Sequence, residues 1–514
     1  MTSSTKKTWF IALVVSIGGF LFGFDAGIIS GVMSYAGPQF DLNDVQTGWV
    51  VSSPSFSAMI AMLISGRLSD YMGRKKILMI VAFLYALSAI LSAYATGYDM
   101  LWIARMIGGV AFGAALVLAP TYIAEISSAE NRGKLVSTQQ LNIVLGFFAA
   151  FLCNYYLNEL NTSGTSSLSD ESVWRWMLGI ELLPAVLYLI LLFFVPNSPR
   201  WLFLKGKVEE AKAILQKLHS KDKAEEEAKA ITLSIANTKN KEKVELSELI
   251  KPGLRFIFLV GLTLGILQQV TGINAIYFYA TSIFKQTGIG TNAAFAQGVL
   301  LSVIALVFTI ISMLIIDKVG RRPLLLVGVA GIAISLLCCA YGFNKATYKL
   351  TESKLSTLDS SLNEKLTPFI NKTYDSDVVF KREMKAVLGT KTYAKNDGAI
   401  LEAAIEMNAV LVLIGILGFV ACFAFSLGPV MWVMLSEIFP NKYRGLAIGV
   451  IGFINSFTSW LVQQVFPWEL SNLGNTITFF IFGIIGALGF FILLKVLPET
   501  KGKSLEQLET EFSN

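Results

Sequence analysis

A charged six-residue element occurs twice in this chain, each time between two long apolar runs: Asp70-Tyr71-Met72-Gly73-Arg74-Lys75 and Asp317-Lys318-Val319-Gly320-Arg321-Arg322. A second element, Glu125 with Arg132-Gly133, returns as Glu437 with Arg444-Gly445. Two elements repeated in the same order mean two similarly built halves. The second pair is offset by more residues than the first, and the excess is the polar stretch 344–405. In a membrane protein, parallel repeats of this kind place a ligand site near the bilayer midplane, where the halves meet.

The membrane assignment follows from composition. Hydrophobic residues make up 54% of the chain and charged residues 15%, with a mean hydropathy of +0.60. Those values exclude a soluble globule. Runs long enough to cross a hydrocarbon layer of about 30 Å fall near 9–33, 48–68, 77–95, 101–123, 135–158 and 176–195, then near 255–283, 294–316, 324–343, 407–432, 445–466 and 473–497. They are continuously apolar and do not alternate, which predicts helices and not a barrel. The expected fold is an all-α membrane protein of twelve transmembrane helices in two pseudo-symmetric six-helix halves, 1–195 and 255–497. A linker with short helices, 196–254, joins the halves. The stretch 344–405 is an extracellular insertion, and 498–514 forms a tail.

Basic residues set the orientation. Arg74, Lys75, Lys76, Arg132, Lys134, Lys318, Arg321, Arg322, Lys442 and Arg444 fill every second short loop. By the positive-inside rule those loops, the linker and both termini are cytoplasmic, in a multi-pass plasma (inner) membrane protein. The same bias accounts for the net charge of +6, so no nucleic-acid partner is called for. The four cysteines lack CxxC spacing and the only histidine, His219, lies in the linker, so no metal and no cofactor is expected. No run carries a nucleophile with a base or a nucleotide loop, which argues against an enzyme.

Polar residues inside the runs are the candidates for function. Asp25 interrupts the first run, where an acid costs about 2.5–3.5 kcal/mol to insert. Counting at 1.5 Å per residue from the outer ends puts Asp25, Arg105 and Glu181 at depths of ~12, ~6 and ~8 Å, within reach of one another. Beside Arg105 the carboxylate of Asp25 stays ionised, and apart from it in an apolar surround the carboxylate takes up a proton, so the triad can hold a movable proton. A permanent buried ion pair is the alternative reading, although such pairs seldom stabilise by themselves.

A second set is neutral. Gln268, Gln269 and Asn274 surround Thr271-Gly272 in the seventh run, with Tyr277 and Tyr279 beyond; Gln140, Trp432 and Asn455 lie in the fifth, tenth and eleventh. Amides donate and accept towards hydroxyl groups, and an aromatic face covers the C–H side of a ring, so this set suits a neutral polyhydroxylated ligand. Single amides in a membrane helix also serve as helix–helix contacts. Gly428-Pro429 ahead of Trp432 predicts a hinge.

Further motifs occur in a fixed order: Gly66-Arg67-Leu68-Ser69-Asp70, Arg105-Met106-Ile107-Gly108-Gly109, Pro196-Asn197-Ser198-Pro199-Arg200-Trp201-Leu202, Gln268-Gln269-Val270-Thr271-Gly272-Ile273-Asn274 and Pro498-Glu499-Thr500-Lys501-Gly502. Together with the repeated elements they resemble the sugar porter family of the major facilitator superfamily, over nearly the whole chain. The resemblance implies alternating access around a monosaccharide held between the halves. It assigns sugar contacts to Gln140, Gln268, Gln269, Asn274, Trp432 and Asn455, to which the neutral set adds Tyr279 as an expected substrate contact. It assigns a cytoplasmic gate of ion pairs to Asp70, Arg74, Glu125, Arg132, Asp317, Arg321, Glu437 and Arg444. Phe22-Gly23-Phe24-Asp25, with Arg105 and Glu181, is most similar to bacterial xylose and hexose symporters that couple sugar to a proton. The chain departs from the family at Ala305, where many members have an Asn, at Phe278, which replaces the first of a Tyr pair, and at Asn197, which replaces a Glu. The expected function is proton-coupled monosaccharide symport by a chain working as a monomer in the lipid bilayer. A facilitative uniporter and a sugar sensor are the alternatives, the latter disfavoured by the short tail after Leu497.

Overall fold

The computed structural model describes residues 3–128, 131–164, 167–239, 245–440 and 442–501, without the side chains of 3–5, 132, 221, 236–239, 252 and 253. Twelve helices within these residues are long and apolar enough to cross a membrane. Spans 1–6 are Lys6–Gln39, Asp44–Met72, Arg74–Ala93, Tyr98–Ile126, Gly133–Thr162 and Asp170–Phe193. Spans 7–12 are Leu254–Phe278, Thr291–Val319, Arg321–Asn344, Ala409–Ile438, Arg444–Asn472 and Gly474–Val496.

Local chemistry explains where the spans start and turn. Asn43 caps span 2 in a reciprocal pair with Gln46, its side chain accepting from the Gln46 N–H at 2.9 Å and its own N–H donating back at 3.1 Å. That arrangement satisfies two of the donors a helix start leaves open. Gly73 and Gly320, the glycines of the repeated element, link spans 2 to 3 and 8 to 9 with φ of 95° and 105°. Residues with a Cβ rarely adopt that backbone, so the element needs glycine at its centre. Each is also covered by chain from beyond its own six-helix bundle: the Trp201 ring faces Gly73, and the Glu499 carboxylate faces Gly320.

Three spans are broken. Span 6 is interrupted at Ile180-Glu181. Span 7 breaks at Thr271-Gly272, where Gly272 takes φ of 88°, and again at Tyr279. Span 10 breaks at Ser426, not at Gly428-Pro429 where the sequence places its hinge. The difference is the reach of proline: Pro429 has no N–H to offer the carbonyl four residues earlier, that of Phe425. The helix opens there, and Ser312 of span 8 donates its hydroxyl to the freed Phe425 oxygen at 2.8 Å.

Short helices Pro199–Leu204, Val208–Leu218 and Lys221–Lys239 and a 3₁₀ turn Leu246–Ile250 form the linker. At the opposite end of the bundle the segment between spans 9 and 10 folds into a small subdomain. It has three short antiparallel strands, β1 (Thr347–Lys349), β2 (Thr373–Tyr374) and β3 (Ile405–Glu406), in the order β2-β1-β3. The membrane-spanning fold is all-α as expected, and this small sheet lies outside the spans. Helices Asp377–Leu388 and Thr390–Ala404 pack on the sheet around a core that includes Tyr348, Leu366, Phe380, Met384 and Leu401. Polar contacts tie the subdomain to the bundle. Asp377 accepts from the N–H and side-chain amide of Asn475 at 3.2 and 3.0 Å, and the buried Lys285 lies 3.5 Å from Asp397.

Candidate functional site

Asp25 and Arg105 meet in the middle of the N-terminal half. The guanidinium of Arg105, 1% exposed, reaches both oxygens of Asp25 at 3.1 and 3.4 Å and donates from Nε to the Val50 carbonyl at 2.9 Å. Spans 1, 2 and 4 are therefore joined through one buried cation. Glu181 is equally buried at the break in span 6 and lies within electrostatic reach of both. Among the described residues its carboxylate has no hydrogen-bond or ion-pair partner, so the triad expected from depth is a pair with a third group beside it.

In the C-terminal half the amides form one network. Gln268 donates to the Leu427 carbonyl just past the break in span 10, at 2.9 Å. Its own oxygen accepts from Gln269 at 3.2 Å and from Asn455 at 2.9 Å. Asn455 also donates to the Gly265 carbonyl at 2.7 Å and accepts from Gln269 at 3.2 Å. Asn274 donates to Gln269 at 2.8 Å and to Ser459 at 2.6 Å. Trp432 is 41% exposed and flanks this wall, its ring next to Gly452, one helical turn from Asn455. Gln140, half-buried in span 5, belongs to the other half and has no partner among the described residues. Tyr279 stands apart: its hydroxyl donates to the Gln463 carbonyl at 2.9 Å and its ring packs on Phe466, so it belongs to the seam between spans 7 and 11 and not to the amide wall.

The hydrogen bonds that join the two halves lie mostly towards the subdomain end. Ser30 pairs with Thr281 at 2.9 Å, Ser52 with Gln464 at 2.8 Å, Ser55 with Gln463 at 3.0 Å and Asn158 with Asn292 at 2.8 Å. Phe147 stacks on Tyr277 across the same boundary at 4.6 Å.

At the linker end the repeated motifs make two clusters, each within its own half. Arg74 contacts Asp70 at 2.7 Å and Glu125 at 3.1 Å, and Arg321 contacts Asp317 at 3.0 Å and Glu437 at 2.8 Å. Among the described residues no ion pair joins one cluster to the other. Arg444 departs from the expectation, donating to the Phe439 carbonyl at 3.1 Å and not to a carboxylate. The side chain of Arg132 lies outside the described residues. Sequence reasoning missed the hydroxyl that completes each cluster: Ser198 donates to Glu125 at 2.5 Å and Thr500 to Glu437 at 2.6 Å. The signal was present, because each hydroxyl stands two residues after a proline, Pro196 or Pro498, that follows the last span of its half.

Comparison with known proteins gives this architecture its family. The sequence model described as "Sugar (and other) transporter" matches residues 11–359 and 384–512, and the chain belongs to that family. Residues 360–383, which it leaves unmatched, fall inside the subdomain between spans 9 and 10. Among individual relatives, the arabinose-proton symporter of Bacillus subtilis is 35% identical over 499 residues, covering 97% of this chain and 94% of that protein. The D-xylose-proton symporter of Escherichia coli K12 is 32% identical over 532 residues, with coverage of 97% and 94%. The inward-open structure of the E. coli xylose transporter superposes with a TM-score of 0.73 at 29% identity, over 98% of this chain and 99% of that one.

Proposed function

We propose that this chain is a proton-coupled monosaccharide symporter that works by alternating access. The observation that carries the reading is the buried Asp25–Arg105 pair in one half facing a wall of neutral amides in the other. A carboxylate held by one cation can exchange that partner for a proton when the helices carrying them separate. Amides that now bond one another can exchange those bonds for sugar hydroxyls, which offer the same donors and acceptors. Symport needs both exchanges in one molecule, and the resemblance to pentose-proton symporters points the same way.

The same reading makes this arrangement inward-facing. Cross-half bonds seal the subdomain end, while the two charged clusters at the linker end remain separate. Positive-inside bias puts the linker and both termini in the cytoplasm and the subdomain outside. One chain holds both the proton pair and the sugar wall, so the monomer in the bilayer is the working unit.

Purified protein in liposomes, given a panel of pentoses, hexoses and polyols, tests the proposal. A pH gradient as sole energy source should drive accumulation of at least one sugar. Equilibration without accumulation would make the chain a uniporter, and binding without flux would make it a sensor.

A further inference from the structure

The amides of the sugar wall have almost no spare donors. Both amide hydrogens of Asn274 are engaged, by Gln269 and Ser459. Both of Gln269 are engaged by Gln268 and Asn455, and both of Asn455 by Gly265 and Gln268. A sugar hydroxyl that accepts a bond from any of these three must displace a protein partner. What lies behind the displaced partner then decides where occupancy is felt.

Behind Asn274 lies a ladder on one face of span 11, formed by Asn455, Ser459 and Gln463 at steps of four residues. Gln463 is fully buried. Its amide donates to Ser459 at 2.8 Å, so Ser459 receives Asn274 from one side and Gln463 from the other. The side-chain oxygen of Gln463 accepts from Ser55 of span 2 at 3.0 Å, and its backbone carbonyl accepts from Tyr279 beyond the break in span 7. One side chain thus touches the sugar network through Ser459 and the opposite half through Ser55.

We infer that Gln463 is a positioning residue that links sugar occupancy to the outer seam. In the empty site Asn274 holds Ser459, Ser459 orients the Gln463 amide, and the oriented amide presents its oxygen to Ser55, keeping spans 2 and 11 together. When a sugar draws Asn274 away, Ser459 and Gln463 are free to turn and the Ser55 contact loosens. Opening to the outside then requires one fewer bond to break. The inference rests on the proposed reading of the amides only for what displaces the bond; the link itself can be measured with no sugar present.

The test uses the full chain in liposomes, with its native cysteines replaced by serine and Ser30→Cys as a reporter. Ser30 is 3% exposed and faces Thr281 across the seam, so a membrane-impermeant thiol reagent added outside labels it only when the seam opens. Asn274→Ala, which removes the bond to Ser459, should raise the labelling rate by about 2- to 10-fold, the change expected for one lost hydrogen bond. Ser55→Ala, a change that keeps the packing, should do the same. The double variant should label no faster than the faster single one, because both remove the same link. Gln463→Glu keeps an oxygen for Ser55 but loses the N–H to Ser459, and in that background Asn274→Ala should have no further effect. Rates that multiply in the double variant, or an Asn274→Ala variant that labels like the parent, would overturn the inference. Either result leaves the sugar assignment standing, since that is judged by binding and uptake.

Discussion

The two halves of this molecule match at their linker ends and differ in their middles. Each end has an Asp–Arg–Glu cluster closed by a hydroxyl, Asp70, Arg74, Glu125 and Ser198 in one half and Asp317, Arg321, Glu437 and Thr500 in the other. In the middle, the N-terminal half buries Asp25, Arg105 and Glu181, whereas the C-terminal half buries Gln268, Gln269 and Asn455, with Asn274 half-buried beside them. A duplicated scaffold can keep its gate twice and still give charge to one half and neutral hydrogen bonding to the other. Under the proposed function, the difference gives the proton to the first half and the sugar to the second.

The largest expected effect comes from removing the charge that distinguishes the first half. Asp25→Asn imitates the protonated acid, so the variant should exchange labelled sugar across the membrane yet lose accumulation driven by a pH gradient. Accumulation that survives in this variant, with the proton gradient as the only energy source, would dissolve the division between halves. Arg105→Met should fail in the same assay, because the Asp25 proton then has no cation to replace it on release.

Next come the amides. Gln269→Ala and Asn274→Ala should each weaken sugar binding at least tenfold, in line with roughly 1–3 kcal/mol for polar groups left unpaired in a desolvated site. Titration of intrinsic tryptophan fluorescence would read the change. Wild-type affinity in both variants would move the sugar site elsewhere and leave the network as helix contact alone.

The matched ends sharpen the comparison in another way, since they are matched in pattern but not in burial. The Arg74 and Glu125 side chains are 8% and 7% exposed, those of Arg321 and Glu437 13% and 22%. Arg74→Ala strands a buried carboxylate, a loss of about 3 kcal/mol even with Ser198 still donating to it. Arg321→Ala leaves a wetter one, at about 1 kcal/mol. Thermal unfolding in detergent should therefore rank the two variants in that order, and equal shifts would show that the two clusters are equivalent.

Much of this was legible in the sequence because membrane constraints are strong and local. Continuous apolar runs locate twelve spans, and depth counted at 1.5 Å per residue is enough to bring Asp25 to Arg105. Depth says nothing about azimuth, which is why Glu181 falls beside the pair without touching it and Tyr279 turns to Gln463. Proline acts on the carbonyl four residues earlier, so the hinge read at Gly428-Pro429 opens at Ser426. In the sequence the subdomain registers only as a polar insertion. Its strands are two or three residues long, too short for alternation to register, and its sheet pairs residues as far apart as Thr347 and Glu406.

That subdomain breaks the symmetry of the halves outright, and its electrostatics predict the smallest effect. Glu383 accepts from Lys372 and from the Tyr374 hydroxyl, both at 2.6 Å. The hydrogen bond from Lys372, with that from Tyr374, holds the Glu383 carboxyl below its ordinary value, and the bond to Glu383 pushes the Lys372 ammonium above its own. A lowered acid contributes stability at neutral pH that is lost as pH falls through its folded value; a raised base contributes stability that is lost as pH rises through its folded value. The contact is therefore intact across the neutral range and fails first on the acid side. Because the pair is exposed, the loss should be local: amides near β2 and the start of helix Asp377–Leu388 should exchange faster with deuterium as pH drops below the ordinary carboxylate range, after correction for intrinsic exchange rates. Glu383→Gln should remove that pH dependence while leaving sugar accumulation unchanged. If the variant keeps the dependence, another carboxylate holds the subdomain, with Asp377 beneath Asn475 and Asp397 beside Lys285 the next to replace.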